Sequence, residues 1–153
     1  MDVFYYWKDH AADLKAGRIG RFRTSRSKLA ELQEGVPDRI WVFKTPKGLK
    51  GQVQLLARLR WSDSAVVRME RKADEHYFFY NPQDIQSVSF TDTGTPEAID
   101  AATDWVRRNL PVAIHANFQG ENGQHAMRGA MVMELDRWAK TLSSEPFASI
   151  AAS

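Results

Sequence analysis

The chain has no cysteine. That excludes disulfides, thiolate metal sites and a cysteine nucleophile. Histidine is scarce: His10, His76, His115 and His125 lie in unrelated settings, without the i, i+4 partner or His/acid spacing of a metal site. There is no Gly-x-Ser-x-Gly elbow, and neither GRIGRF nor GLKG leads into the Gly-Lys-Ser/Thr of a phosphate loop. No carboxylate cluster joins a lysine or histidine as a metal-dependent nuclease requires. Glu70, Asp74 and Glu75 beside His76 read as an acidic, solvated turn. The expectation is a non-enzyme with no cofactor and no metal. Long apolar runs are also missing: none approaches the roughly 20 residues that span a bilayer. Met1 to Lys8 has no basic region followed by an apolar run, so no signal peptide is visible. A soluble cytoplasmic protein without a membrane partner is expected.

What is present is enough for one domain. The 153 residues are 43% apolar and include five tryptophans, which suffices for a sizeable core. The net charge of +2 conceals a division. Between Arg18 and Arg60 stand eleven Lys/Arg and only three acids, a local charge of +8. The remaining ten basic and sixteen acidic residues leave −6 elsewhere. Local fields, not net charge, attract partners. Phe22, Trp41, Phe43 and Trp61 are set among these cations. Cations for phosphates and rings for bases are the composition of a nucleic-acid surface. The alternative is a solvated basic surface with its aromatics in the core.

Along the chain, Val3 to Trp7 is a short aromatic strand. Asp9 can cap a helix through Lys15, ended by Gly17. Arg18 to Ser25 is a basic loop, and Ser25 or Ser27 starts a second helix through Gln33. Ile40 to Phe43 is a continuous apolar strand. The turn-rich stretch from Lys44 to Gly51 follows. Gln52 to Trp61 then alternates, with Val53, Leu55, Ala57, Leu59 and Trp61 on one face and Leu56 the single exception. Further strands are expected at Val66–Glu70, Tyr77–Tyr80 and Ile85–Phe90. Such short strands suggest a small barrel. The last third is helical. Thr95 and Pro96 start one helix ending near Asn109. Ala113 to Gly123 is irregular. A second helix from Gln124 carries Met127, Met131, Leu135, Trp138 and Leu142 as a stripe that packs on the barrel. Ser143 to Ser153 reads as a flexible tail or linker.

Three basic segments could converge on one face: Arg18, Arg21, Arg23 and Arg26; Lys44, Lys47 and Lys50; and Arg58 with Arg60. The lysines on their Pro/Gly turn are expected to meet phosphates. Trp7 beside Lys8, with Trp41 and Trp61 on neighbouring strands, could stack on an extruded base. For each tryptophan, core packing is the alternative. A different class of function, protein interaction or regulation, would use the C-terminal Met/Trp helix.

The order of these motifs resembles the EVE domains of the PUA-like superfamily. Tyr6-Trp7 closes the first strand and Arg18-Ile19-Gly20-Arg21-Phe22-Arg23 occupies the loop. Ser27 to Gln33 is the short helix, Asp38 precedes Ile40-Trp41-Val42-Phe43, and Val53 to Trp61 runs back. The resemblance covers Met1 to Phe90. Thr24 stands where the family has the Asn of an Arg-Asn pair, Pro37-Asp38 replaces a Gly-Asp turn, and Leu55-Leu56-Ala57 replaces a glycine. Together, the residue pattern and the resemblance give an expected α+β fold over residues 1–142. A small mixed or antiparallel PUA-like barrel (1–92) has two short N-terminal helices, and two longer helices (95–142) follow. The resemblance implies a DNA or RNA reader that holds a modified or flipped base, with no catalysis, such as serves restriction or RNA-modification systems. Trp7 or Phe22 would stack on the base, and Thr24 or Ser25 would bond its edge.

Overall fold

The computed structural model describes residues 1–70 and 72–151. It is α+β, with a mixed eight-stranded sheet curled into a half-barrel. The elements are β1 (Asp2–Tyr6), α1 (His10–Ala16), β2 (Arg21–Thr24), α2 (Arg26–Glu34), β3 (Arg39–Lys44), β4 (Gln54–Ser62), β5 (His76–Asn81) and β6 (Val88–Phe90). There follow α3 (Pro96–Asn109), α4 (Pro111–His115), a 3-10 turn (Gly120–Gly123), β7 (Gln124–Met127), α5 (Ala130–Ala139), β8 (Ser144–Pro146) and α6 (Phe147–Ala151). The main path runs β2-β5-β4-β3-β1-β7, with β6 against β4 and β8 against β6. Only β1 and β3 pair in parallel.

Two cores form because several strands carry apolar residues on both faces. Val3, Trp7, Ile40, Val42, Ala57, Leu59, Trp61, Phe78 and Tyr80 fill one. Phe4, Trp41, Phe43, Val53, Leu55 and Phe90 fill the other, under α3, α4 and α5. The first is the inner side of the curl, because Tyr5 and Phe22 stack there at 4.0 Å although β1 and β2 are not neighbours in the sheet. Leu56 explains the one break in the alternation. Val42 pairs Ala57 while Phe43 pairs Leu55, so Leu56 is the extra residue of a bulge. The bulge passes Leu55 to the outer core and Ala57 to the inner one.

Local signals hold at several helix ends. Ser25 accepts from the Lys28 N–H, and Thr95 accepts from the Ala98 N–H ahead of the 14-residue α3. Gly17 ends α1 at φ 71°, in the left-handed region that glycine reaches without strain. Asp9 precedes α1 but its side chain caps nothing.

Other expectations are corrected. The basic loop contains β2, held by antiparallel pairing with β5. Val66–Glu70 is not a strand, and Ile85 lies in a turn before the short β6. Gln124–Met127 is a strand on β1, so the C-terminal helix begins only at Ala130. Among the described residues there are six helices, and the sheet draws on residues beyond 92. The segment from Ser143 is no loose tail as far as it is described: β8 pairs β6, and Phe147 is buried in the inner core. Ala152 and Ser153 lie outside the described residues. The Met/Trp stripe does pack: Leu135 and Met127 are buried, and Met131, Trp138 and Leu142 lie against the outer core. No described helix is long and apolar enough to cross a membrane.

Candidate functional site

The curl leaves a seam between β2 and β7, where no backbone ladder joins the two strands. Side chains cross it instead. Thr24 Oγ1 donates to Gln124 Oε1 at 2.5 Å, and Gln124 Nε2 donates to the Arg23 carbonyl at 3.1 Å. Ser25 and Ser27 donate to one oxygen of Glu121 at 2.6 and 3.2 Å, which holds that carboxyl below its usual range.

A cavity of about 650 Å³, the seam cavity, shares Arg23 with this seam and opens on the α1 side of β2. Tyr5 and Phe22 line it, with Asp9 just before α1 and Asp13 on α1. Arg18, Arg21 and Arg23 line one side. Glu70 and Lys72 of the β4–β5 loop, with Glu75 and Tyr77 leading into β5, complete it. Gly20 brings that loop close: its φ is +87°, and an added Cβ would lie 2.8 Å from the Val67 side chain.

Asp13 is the organising carboxylate. It accepts from Trp7 Nε1 at 2.8 Å on one oxygen and from Arg18 Nε at 2.8 Å on the other. Burial first, then Asp13 and Asp9, raises the Tyr5 hydroxyl above its ordinary range, so Tyr5 stays neutral. Tyr80 is fully buried, and its hydroxyl has no hydrogen-bond partner. On the outer side Tyr77 donates to Glu75, which lowers that carboxyl, and Arg23 lies 3.6 Å from Glu75. Arg21 sits over the Tyr77 ring at 5.9 Å. Among the described residues Arg21, Lys72, Asp9 and Glu70 line the cavity without an ion pair.

The expected site residues divide. Arg18, Arg21, Phe22 and Arg23 meet at the cavity. The tryptophans do not. Trp7 is 2% exposed, edge-on to Phe22 and bonded to Asp13, so it has no free face for a base. Phe22 is enclosed by Tyr5, Trp7, Phe78 and Tyr80. Trp41 lies fully buried in the outer core with its Nε1 on Asp2, while Trp61 lies in the inner core. Neither tryptophan lines the cavity. Thr24 and Ser25 are committed to Gln124, to Glu121 and to capping α2. Lys8 and Arg26 are exposed and do not line the cavity.

Of the expected basic residues, Lys44, Lys47, Lys50, Arg58 and Arg60 do not line the cavity. The loop of Lys44, Lys47 and Lys50 follows one end of β3, and Arg60 pairs with Arg39 at the other end. Those ends are about 17 Å apart at roughly 3.3 Å per residue. Arg60 is bonded to Asp38 at 2.6 Å. Arg58 lies over the Trp41 ring, half-buried on the outer face.

Sequence reasoning missed Tyr5, Asp9, Asp13, Lys72 and Tyr77. Two signals were available: Tyr5 shares the inward period of Val3 and Trp7, and Asp9 and Asp13 are spaced i, i+4. Among the described residues no group of three or more His, Asp or Glu is placed to hold a metal ion. No family model, curated protein or solved structure matches this chain.

Proposed function

We propose that the chain is a binding module that holds one nucleotide of a DNA or RNA strand in the seam cavity, and that it is a PUA-like reader. The observation that carries this reading is the cavity itself. It places the half-buried rings of Tyr5 and Tyr77 beside Arg21, Arg23 and Lys72. A base needs a ring face and a phosphate needs a cation within one nucleotide's reach. The volume suits one nucleotide, within the range of small-ligand sites. The order β1, α1, basic β2, α2, β3 after Asp38, and a long return β4 supports the PUA-like part of the proposal.

The stacking role passes from Trp7 and Phe22 to Tyr5 and Tyr77. The lysines at positions 44, 47 and 50 become peripheral charge. Anisotropy titrations of labelled single-stranded DNA and RNA, at about 50 and about 200 mM salt, test the reading. Affinity should fall with salt, and Arg21→Ala should weaken binding more than Lys47→Ala. Equal effects of the two substitutions, or no binding at low salt, would remove the cavity from the function. The Met/Trp helix gives the protein-interaction alternative no support, because its stripe already packs on the outer core.

A further inference from the structure

The cavity is not a basic cleft. Arg18, Arg21, Arg23 and Lys72 face Asp9, Asp13, Glu70 and Glu75, so its charge is balanced. A site that held only phosphate would place four carboxylates badly, since each repels the ligand. Two of them are already used: Asp13 by Trp7 and Arg18, and Glu75 by Tyr77 and Arg23. Asp9 is not. It is exposed at the cavity, does not cap α1, and pairs with no described cation. Arg21 is the matching cation, resting on Tyr77 without a carboxylate.

An acceptor and a cation that line one cavity with aromatic rings define complementary ligand chemistry. We infer that the ligand of the seam cavity is a nucleotide whose base carries an exocyclic amine, read by the Asp9 carboxylate while Arg21 takes the phosphate. This rests on the seam cavity being the binding site. A carboxylate accepts N–H donors in charge-assisted hydrogen bonds, and adenine, cytosine and guanine offer an amine that uracil and thymine lack.

The test uses the full chain and calorimetric titration with the 5′-monophosphates of adenosine, cytidine, guanosine and uridine, and with single-stranded ten-mers of A, C, U and T. Amine-bearing ligands should bind about tenfold tighter than U and T. Asp9→Asn should erase that preference without loss of folding, checked by circular dichroism, because Asp9 is exposed. Arg21→Gln should weaken all bases alike. Equal affinity for all four bases in the wild type, or a preference that survives Asp9→Asn, would overturn the inference and leave the seam cavity as a base-independent site. Binding by none of the probes would overturn both. Ten-mers bound far more tightly than monophosphates identify a strand as the source, and equal affinities identify the free nucleotide; either supports the amine reading.

Discussion

Thr24 and Gln124, one hundred residues apart, are joined by a 2.5 Å hydrogen bond across the gap between β2 and β7. Gln124 also holds the Arg23 carbonyl and pairs in register with Tyr5. One residue therefore links the edge strand of the cavity to the strand that supplies its Tyr5.

Gln124→Ala should loosen this seam. It removes two partly exposed hydrogen bonds, each worth about 1 kcal/mol net. The melting temperature should drop by roughly 2–8 °C for a chain of this size. Amide exchange of Phe22 to Thr24 should quicken, while that of β3 stays slow. Unchanged exchange in β2 would show that its ladder to β5 alone holds the strand.

Trp7 is a core residue. Trp7→Ala should cost about 3–5 kcal/mol in urea unfolding. Trp7→Phe keeps most of the packing but unpairs one oxygen of Asp13, and should cost less. A Trp7→Ala variant as stable as wild type would contradict the packing described for Phe22, His10 and Phe147 around this ring.

Arg39 and Arg58 share the Trp41 ring, at 5.2 and 5.4 Å, yet should respond oppositely. Arg39 bonds both oxygens of Asp136 and also reaches Asp2, which is 4% exposed. Arg39→Met leaves Asp2 with only the Trp41 N–H and should cost about 3 kcal/mol or more. Arg58 has no salt bridge and a buried Nε without a partner; burial, then Arg39, disfavours its charge. Arg58→Met should be neutral or stabilising. Thermal melts of the two variants decide the point, and a large loss for Arg58→Met would mean its stem carries the packing.

Stability should fall on mild acidification. Burial, with Lys44 acting on His10 and Lys28 on His125, lowers both histidines from 6.5. Their folded values lie below the unfolded one, so their contribution is complete above about pH 6.5 and is lost as pH falls through the folded values. Asp136 adds a second loss. Its hydrogen bond to Arg39 lowers it from 3.8, so that contribution disappears only as pH falls below about 4. Melting temperatures between about pH 8 and pH 3 should show both steps, and His125→Gln should reduce the first. A protein that gains stability from pH 7 to pH 5.5 would contradict the assignment.

Much of the fold is local in origin and was legible. The strand β4, the caps at Ser25 and Thr95 and the stop at Gly17 need only neighbours in sequence, but the single apolar face expected for β4 is divided, with Val53 and Leu55 in the outer core and Ala57, Leu59 and Trp61 in the inner one. Leu56 was visible as an exception, although only the pairing with β3 shows it to be a bulge. Residues with no periodicity of their own were misjudged. Arg21–Thr24 is a strand because β5 supplies its hydrogen bonds, and Ser144–Pro146 because β6 does. The site belongs to this second kind. The sequence by itself determined which residues alternate, where helices begin and how much charge lies between Arg18 and Arg60. Tertiary structure alone decided that Trp7 and Trp41 point into different cores and that Arg58 and Arg60 stay outside the cavity that Arg21 lines. It also brought Tyr5, Asp9 and Tyr77 together with that arginine. The curl of the sheet sets these distances, and it follows from long-range strand pairing and side-chain packing that no local window contains.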